Sequence, residues 1–325
     1  MQQYILQRIV LMVPTLIGVT LVVFLMLRFV PGDIVQQVAG ENAVLTPEAR
    51  EDIEERLGID QPWYIQYWDW FGGLFRGDFG ESFITDRAVG AELKERLPAT
   101  IELGVLALSV SLIIAVPVGV LAALRQDSWL DYVARSSAIG FLAIPSFWLA
   151  TLVIVLPSKW WGVAPPIQYV DLWVDPWENL KIMLFPFGKF VPVGPAIILG
   201  VGISGAVLRL TRTQMLEVLR QDYIRTARSK GLRERTVLVR HALRNALIPV
   251  ITVIGLQLPI IIGGTVLLES IFNVPGLGRY LVRSLGSLDY PVVQGINLLV
   301  AAAVVSSNLV VDVTYAYLDP RIRYR

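Results

Sequence analysis

The sequence predicts an all-α integral membrane fold with six transmembrane helices and both termini in the cytoplasm. Three observations predict it. Hydrophobic residues fill 54% of the 325 positions and charged residues only 17%, where soluble domains carry about a quarter. Six stretches free of charge are each long enough to cross a bilayer. Basic residues concentrate in alternate loops.

The six stretches are Ile9–Leu27, Leu103–Leu124, Ser136–Leu156, Val191–Leu208, Ala246–Leu268 and Pro291–Val311. The shortest, at 18 residues, spans about 27 Å as a helix, close to the hydrocarbon thickness. Pro14, Pro117, Pro145, Pro249 and Pro259 fall inside these runs, and bundled membrane helices tolerate them. The first run reads as a span rather than a cleavable signal. It is too long, and Arg28-Phe-Val-Pro-Gly-Asp33 does not resemble a small-residue cleavage site.

Loop charge sets the orientation. Residues 209–244 hold ten Lys and Arg against three acids, whereas residues 31–99 hold six against fourteen. By the positive-inside rule the first segment is cytoplasmic and the second external. The chain thus divides into a first transmembrane helix (1–30), a large external segment with interfacial helices (31–99) and a five-helix core (100–325) carrying the cytoplasmic loop 209–244.

The external segment opens with a helix signal. Thr46 suits the N-cap, Pro47 the first helical position, and Gly58 the close. Trp63, Tyr67, Trp68, Trp70, Phe71 and Phe75 follow, readable as an interfacial aromatic belt or as solute contacts. Residues 157–190 carry Trp160, Trp161, Trp173 and Trp177, again an interfacial pattern.

Most enzyme chemistries are excluded. The chain has no cysteine and one histidine, His241, so disulfides, thiolate sites, Cys nucleophiles and His-rich metal centres are gone. No G-x-x-x-x-G-K-[ST] phosphate loop exists. Gly200-Val-Gly202-Ile-Ser-Gly205 matches a dinucleotide pattern, but no strand precedes it and it lies within the fourth span. Small residues four apart there (Ala196/Gly200, Gly200/Ser204, Gly202/Ala206) suit close helix packing.

Polar residues inside spans point to a solute path or to helix–helix hydrogen bonds. The candidates are Gln257, Gln294, Asn297, Asn308 and Asp312.

Residues 209–244 are the most informative. Leu208, Met215, Leu216 and Leu219 form an apolar stripe, and Asp222-Tyr223-Ile-Arg225-Thr226-Ala227-Arg228-Ser-Lys230-Gly231-Leu232 then reads as a short helix closing at Gly231. A second helix leads through His241-Ala-Leu-Arg244 into the fifth span. Physics alone leaves two readings: a docking element for a soluble partner, or a basic loop that holds topology and touches anionic lipid.

This segment resembles the cytoplasmic EAA loop of ABC-importer permeases, whose short helix seats in a cleft of the ATPase. The general pattern is Glu-Ala-Ala, three residues, Gly. Here Arg225-Thr226-Ala227, three residues, Gly231 is similar to the peptide-importer subgroup. Further resemblance runs through Phe29-Val-Pro31-Gly32-Asp33, Leu57-Gly-Ile-Asp-Gln61-Pro62, Gly77-Asp78-Phe79-Gly80-Glu81-Ser82, Arg96-Leu-Pro98-Ala-Thr100, Pro275-Gly276-Leu277-Gly278, Asp289-Tyr-Pro291 and Asp319-Pro320-Arg321. The chain therefore resembles the first permease of the dipeptide/oligopeptide (peptide/nickel) family.

The resemblance implies a type I importer permease fold in the bacterial cytoplasmic membrane and import by alternating access. It implies a homologous second permease, two ATPase subunits and an external solute-binding lipoprotein as partners, with membrane lipid around the helices and no nucleic acid. No cofactor is expected on this chain, because ATP is held by the partner subunits, and the chain itself is not an enzyme. Ala227 is expected to pack against the ATPase, with Gly231 letting the chain turn. The rival reading is a self-sufficient channel or ion-driven carrier, but the central parts of the six runs carry no ionisable residue.

Overall fold

The structure, a computed structural model, describes residues 2–40, 43–163, 169–185 and 193–318; the side chains of 2–5, 256, 258–264, 312 and 314–318 fall outside the description. The described residues are helical, with one isolated bridge between Glu81 and Ala88. In chain order the helices are α1 (Gln2–Arg28), α2 (Ile34–Ala39), α3 (Pro47–Leu57), α4 (Trp63–Leu74), α5 (Val89–Leu124), α6 (Trp129–Ala143), α7 (Ser146–Trp161) and α8 (Pro176–Leu184). Then follow α9 (Pro195–Leu219), α10 (Asp222–Ser229), α11 (Glu234–Thr236), a π-helical stretch (Val237–Leu243), α12 (Arg244–Gly264), α13 (Val266–Ile271), α14 (Leu277–Gly286) and α15 (Tyr290–Leu318).

Five of these segments are long and apolar enough to cross a membrane, or six if α6 and α7 count as one broken span. The third predicted run is therefore not a straight helix. It breaks at Ile144-Pro145, and α6 and α7 meet at 91°. Proline disfavours helical backbone in the residue before it, and Ile144 is extended at φ −86°, ψ 118°. The expected tolerance of Pro145 inside one span is thus corrected by the backbone rule that proline imposes on its neighbour.

The chain forms two compact units, Met1–Thr100 with Pro275–Leu309, and Ile101–Val274 with Val310–Arg325. In the first unit the external segment is built as its residues dictate. Thr46 caps α3 by accepting the Ala49 N–H, Pro47 occupies the first turn, and Gly58 closes the helix in the left-handed conformation at φ 66°. Asp33 caps α2 through the N–H groups of Val35 and Gln36 and also holds Arg50 of α3 at 2.6 Å. Arg50 keeps the Asp33 carboxyl below the usual carboxylate range.

The aromatic residues of α4 divide by face. Tyr67 is buried, meets the Phe24 ring at 5.2 Å and shares a 3.1 Å hydrogen bond with Thr20 of α1. Trp63, Trp68 and Phe75 are exposed. The aromatic run thus anchors α4 to the first span with one face and leaves the other for the interface.

Motifs far apart in sequence meet in this unit. Asp289 accepts hydrogen bonds from Ser82 Oγ (2.5 Å) and the Phe83 N–H (3.0 Å). Burial raises its carboxyl above the ordinary range, against the pull of those donors. Thr100 Oγ1 accepts the Leu277 N–H at 2.8 Å, supplying a partner to the otherwise uncapped first turn of α14.

The second unit is organised around α9. Its most apolar stretch is 56% buried, at least twice the share of the other four unbroken spans. Its glycines explain this. A Cβ on Gly200 would sit 2.5 Å from the Ala107 carbonyl oxygen of α5, and one on Gly205 would sit 2.6 Å from the Ala138 oxygen of α6. Gly202 has nothing within 4 Å of that position. The glycine pattern is a packing device, as its context predicted, although the second close approach is made by Gly205 and not Gly202.

Candidate functional site

The loop predicted to dock a partner is an ordered helical element of the second unit. At the end of α9 the chain turns at Arg220 and Gln221 and enters α10, eight residues long. Ile224 and Ala227, three residues apart on one face, are the buried residues of α10. They pack in a cluster with Ala123 of α5, Met215 of α9, Val237 and Ala242 of the π stretch, and Ala246 of α12. Asp222, Tyr223, Arg225, Thr226, Arg228, Lys230, Gly231 and Leu232 are exposed.

Two expectations change in detail. Ala227 is 7% exposed and packs against its own chain, so it holds α10 to the membrane helices and does not form the outer face. A short helix packed against longer ones must bury one stripe to be held, and Ile224 and Ala227 provide it. The α-helix also ends two residues before Gly231: Lys230 follows it, and Gly231 takes the left-handed conformation at φ 75° while its N–H donates to the Arg228 carbonyl (2.9 Å). Gly231 is the reversal point after the helix, where a residue with a side chain is strained.

Polar contacts fix the turn. Arg228 forks onto Glu234 through Nε to Oε2 (3.2 Å) and an Nη to Oε1 (2.7 Å), closing the turn around Gly231. Asn245 Nδ2 donates to the Tyr223 hydroxyl at 3.0 Å, tying α10 to α12. The Arg225–Asp222 pair, 3.6 Å apart and almost wholly exposed, contributes little. Beyond the turn the backbone adopts seven residues of π-helix, Val237–Leu243. Such stretches are uncommon and concentrate at functional sites. His241 lies within it, and its carbonyl accepts a bond from Asn245.

Sequence reasoning missed the root of this element. Asp131, completely buried in the first turn of α6, receives Arg212 of α9 through two parallel bonds of 2.5 and 2.7 Å. The partners are 81 residues apart. No local pattern reveals such a pair; the only signal was an acid and an arginine beside predicted span ends. Next to it, Arg212, Thr213, Leu216, Glu217, Arg220 and Gln221 line an open cleft of about 450 Å³.

The candidate path residues are placed as follows. Gln294 on α15 is buried and lines a 560 Å³ cavity of the first unit with Arg28, Gln66 and Asp69. Asn297 donates to the Val293 carbonyl of its own helix at 2.8 Å. Asn308 is exposed and Gln257 on α12 half-buried. The side chain of Asp312 lies outside the described residues.

The described residues thus build a multi-span helical protein that packs a short amphipathic helix against the ends of its apolar spans. The chain belongs to the family of binding-protein-dependent transport system inner membrane components. That family's model matches residues 115–324, and the model of its N-terminal region matches residues 1–104. The dipeptide transport system permease protein of Escherichia coli is 41% identical over 339 residues, covering all of both chains. Its namesake in Alkalihalophilus pseudofirmus is 39% identical over 344 residues, again with full coverage. A crystal structure of an amino acid ABC transporter with histidines aligns more loosely, at TM-score 0.46 and 15% identity, over 71% of this chain and 94% of that one. The family resemblance read from the motifs is borne out, and the chain is a multi-pass permease component.

Proposed function

We propose that this protein is the transmembrane subunit of an ATP-driven importer that moves peptides or similar small solutes across the bacterial cytoplasmic membrane by alternating access. One observation carries the reading: α10 uses its two apolar residues to attach to the spans and turns its remaining side chains outward. That leaves an exposed, mostly polar and basic face, with Tyr223, Arg225 and Arg228, for a soluble partner of complementary charge to engage. The partner is an ATPase subunit, one of two, and a homologous second permease completes the pore. An external lipid-anchored binding protein delivers the solute. The names of the full-length relatives support dipeptides as the solute class.

The test is reconstitution. This chain with the second permease, the ATPases and the binding protein should give solute-stimulated ATP hydrolysis; this chain alone should give neither hydrolysis nor transport. Transport by the lone chain in liposomes would replace the reading with a self-sufficient channel or carrier.

The orientation carries its own prediction. Reporter fusions near residues 60 and 175 should read external, and fusions at 228 and 325 cytoplasmic, because residues 209–244 hold ten basic residues against three acids. An external reading at 228 would end the docking proposal, since ATPases act from the cytoplasm.

A further inference from the structure

We propose that the buried Asp131–Arg212 pair is a positioning device for the transport stroke, locking the loop 125–128 and α6 to α9 and, through it, to the docking helix, so that they move as one body. The inference rests on the reading of α10 as the ATPase-docking helix and adds the route by which its motion reaches the spans.

The geometry is unusually complete. Arg212 Nε lies 2.5 Å from Asp131 Oδ1 and an Nη 2.7 Å from Oδ2. The Asp127 N–H donates to Oδ2 at 3.0 Å, and Arg135 stands 3.6 Å from the same oxygen. A second tie joins Arg220 to Gln126 at 3.4 Å. Two parallel bonds between planar groups resist rotation as well as sliding, which a single contact or an apolar patch does not. Further along the same interface, Gly205 brings the α9 backbone against Ala138 of α6. The interface between α6 and α9 is therefore pinned at one end by charge and closed in the middle by backbone contact.

On the other side, Arg212 sits one turn before Met215, which is buried with Ile224 and Ala227 of the docking helix. A push on α10 thus enters α9 through packed side chains and α6 through the ion pair. Stability alone does not account for the pair. Buried ion pairs contribute little beyond apolar residues of similar size, and their attested use is to select one arrangement among several. Here the arrangement selected is the register of α6 on α9.

The chain has no cysteine, so two spin labels can be placed without background. Val133→Cys on α6 and Val239→Cys on the π-helical stretch that packs against α10 are both exposed and lie outside the ion pair and the outward face of α10. In the assembled complex the label–label distance is measured without nucleotide and with ATP trapped. The native pair should give one narrow distribution, the same in both states. With Arg212→Lys or Asp131→Asn the distribution should broaden, and ATP hydrolysed per solute moved should rise on the order of tenfold. That ratio separates positioning from simple loss of folded protein. Arg212→Lys keeps the charge and loses the fork, so it provides the reading should Asp131→Asn not accumulate. A distance that changes on ATP binding with the native pair overturns the proposal, as does an unchanged ratio in Arg212→Lys. Absence of solute-stimulated hydrolysis in the unmutated complex is a separate outcome that sinks the docking reading itself.

Discussion

Gly200→Val and Gly205→Val are expected to abolish accumulation of the folded protein, while Gly202→Val leaves it close to the unsubstituted level. The three glycines lie in one helical turn and a half, so composition and depth are matched. They differ in what a side chain would meet. At 200 and 205 the first carbon alone would come within 2.5 and 2.6 Å of a carbonyl oxygen on the neighbouring helix. Backbone cannot move aside as a side-chain tip does, so the whole α9 contact with α5 or α6 must open. Overpacking at a closed contact costs about 1–3 kcal/mol or more, and membrane helices held by small-residue contacts have little else to replace them. At 202 nothing lies within 4 Å. Thermal unfolding and membrane levels of the chain expressed alone check this. Equal loss at all three positions would show that depth in the bilayer, and not contact with α5 and α6, makes these glycines necessary.

The second large effect lies in the loop proposed to dock the ATPase. Ala227→Trp should remove nearly all solute-stimulated ATP hydrolysis, because an indole cannot enter the cluster formed by Met215, Ile224, Val237 and Ala246 and α10 must lift off its seat. The cause is an intramolecular clash, so the docking helix should also become sensitive to protease in the absence of any ATPase. Leu232→Ala offers the contrast. Leu232 is exposed; its loss should weaken coupling to the ATPase while α10 stays protected. Gly231→Val is intermediate. There is room for the side chain, but φ 75° is a conformation that a β-branched residue adopts only at a cost of order 1–3 kcal/mol. Transport, ATPase rate and limited proteolysis, each normalised to assembled protein, separate the three. Protection of α10 retained in Ala227→Trp would mean that Ala227 does not hold the helix. Arg225→Glu, which restores the acid of the general loop pattern, should weaken docking if the ATPase cleft is matched to a basic residue.

How much of this was legible in the sequence depends on the range of the interaction. The helix that starts at Thr46-Pro47 and ends at Gly58 needed only residues within one turn of each end, and its caps form as read. The short helix after Gln221 was legible because the glycine that follows it is a local stop signal, although the α-helix ends at Ser229, two residues earlier. Its buried face was misassigned, since the pattern shows which side is apolar but not whether the chain itself or a partner covers it. The break at Pro145 was within reach of a local rule, yet a charge-free run conceals it: hydropathy reports how much apolar surface a segment carries, not its direction.

The sequence by itself determined that this chain carries several apolar segments long enough to cross a membrane, where a short amphipathic helix lies between two of them, and which family it belongs to. Each of these is set by composition or by residues within a few positions of one another. Only the tertiary structure decided that Asp131 meets Arg212 across 81 residues, that Asp289 closes on Ser82 across 207, and that Gly205 and not Gly202 faces α6. Those choices turn on angstrom-scale distances between distant backbones, and a fraction of a helical turn reverses them. Local pattern carries no information at that scale.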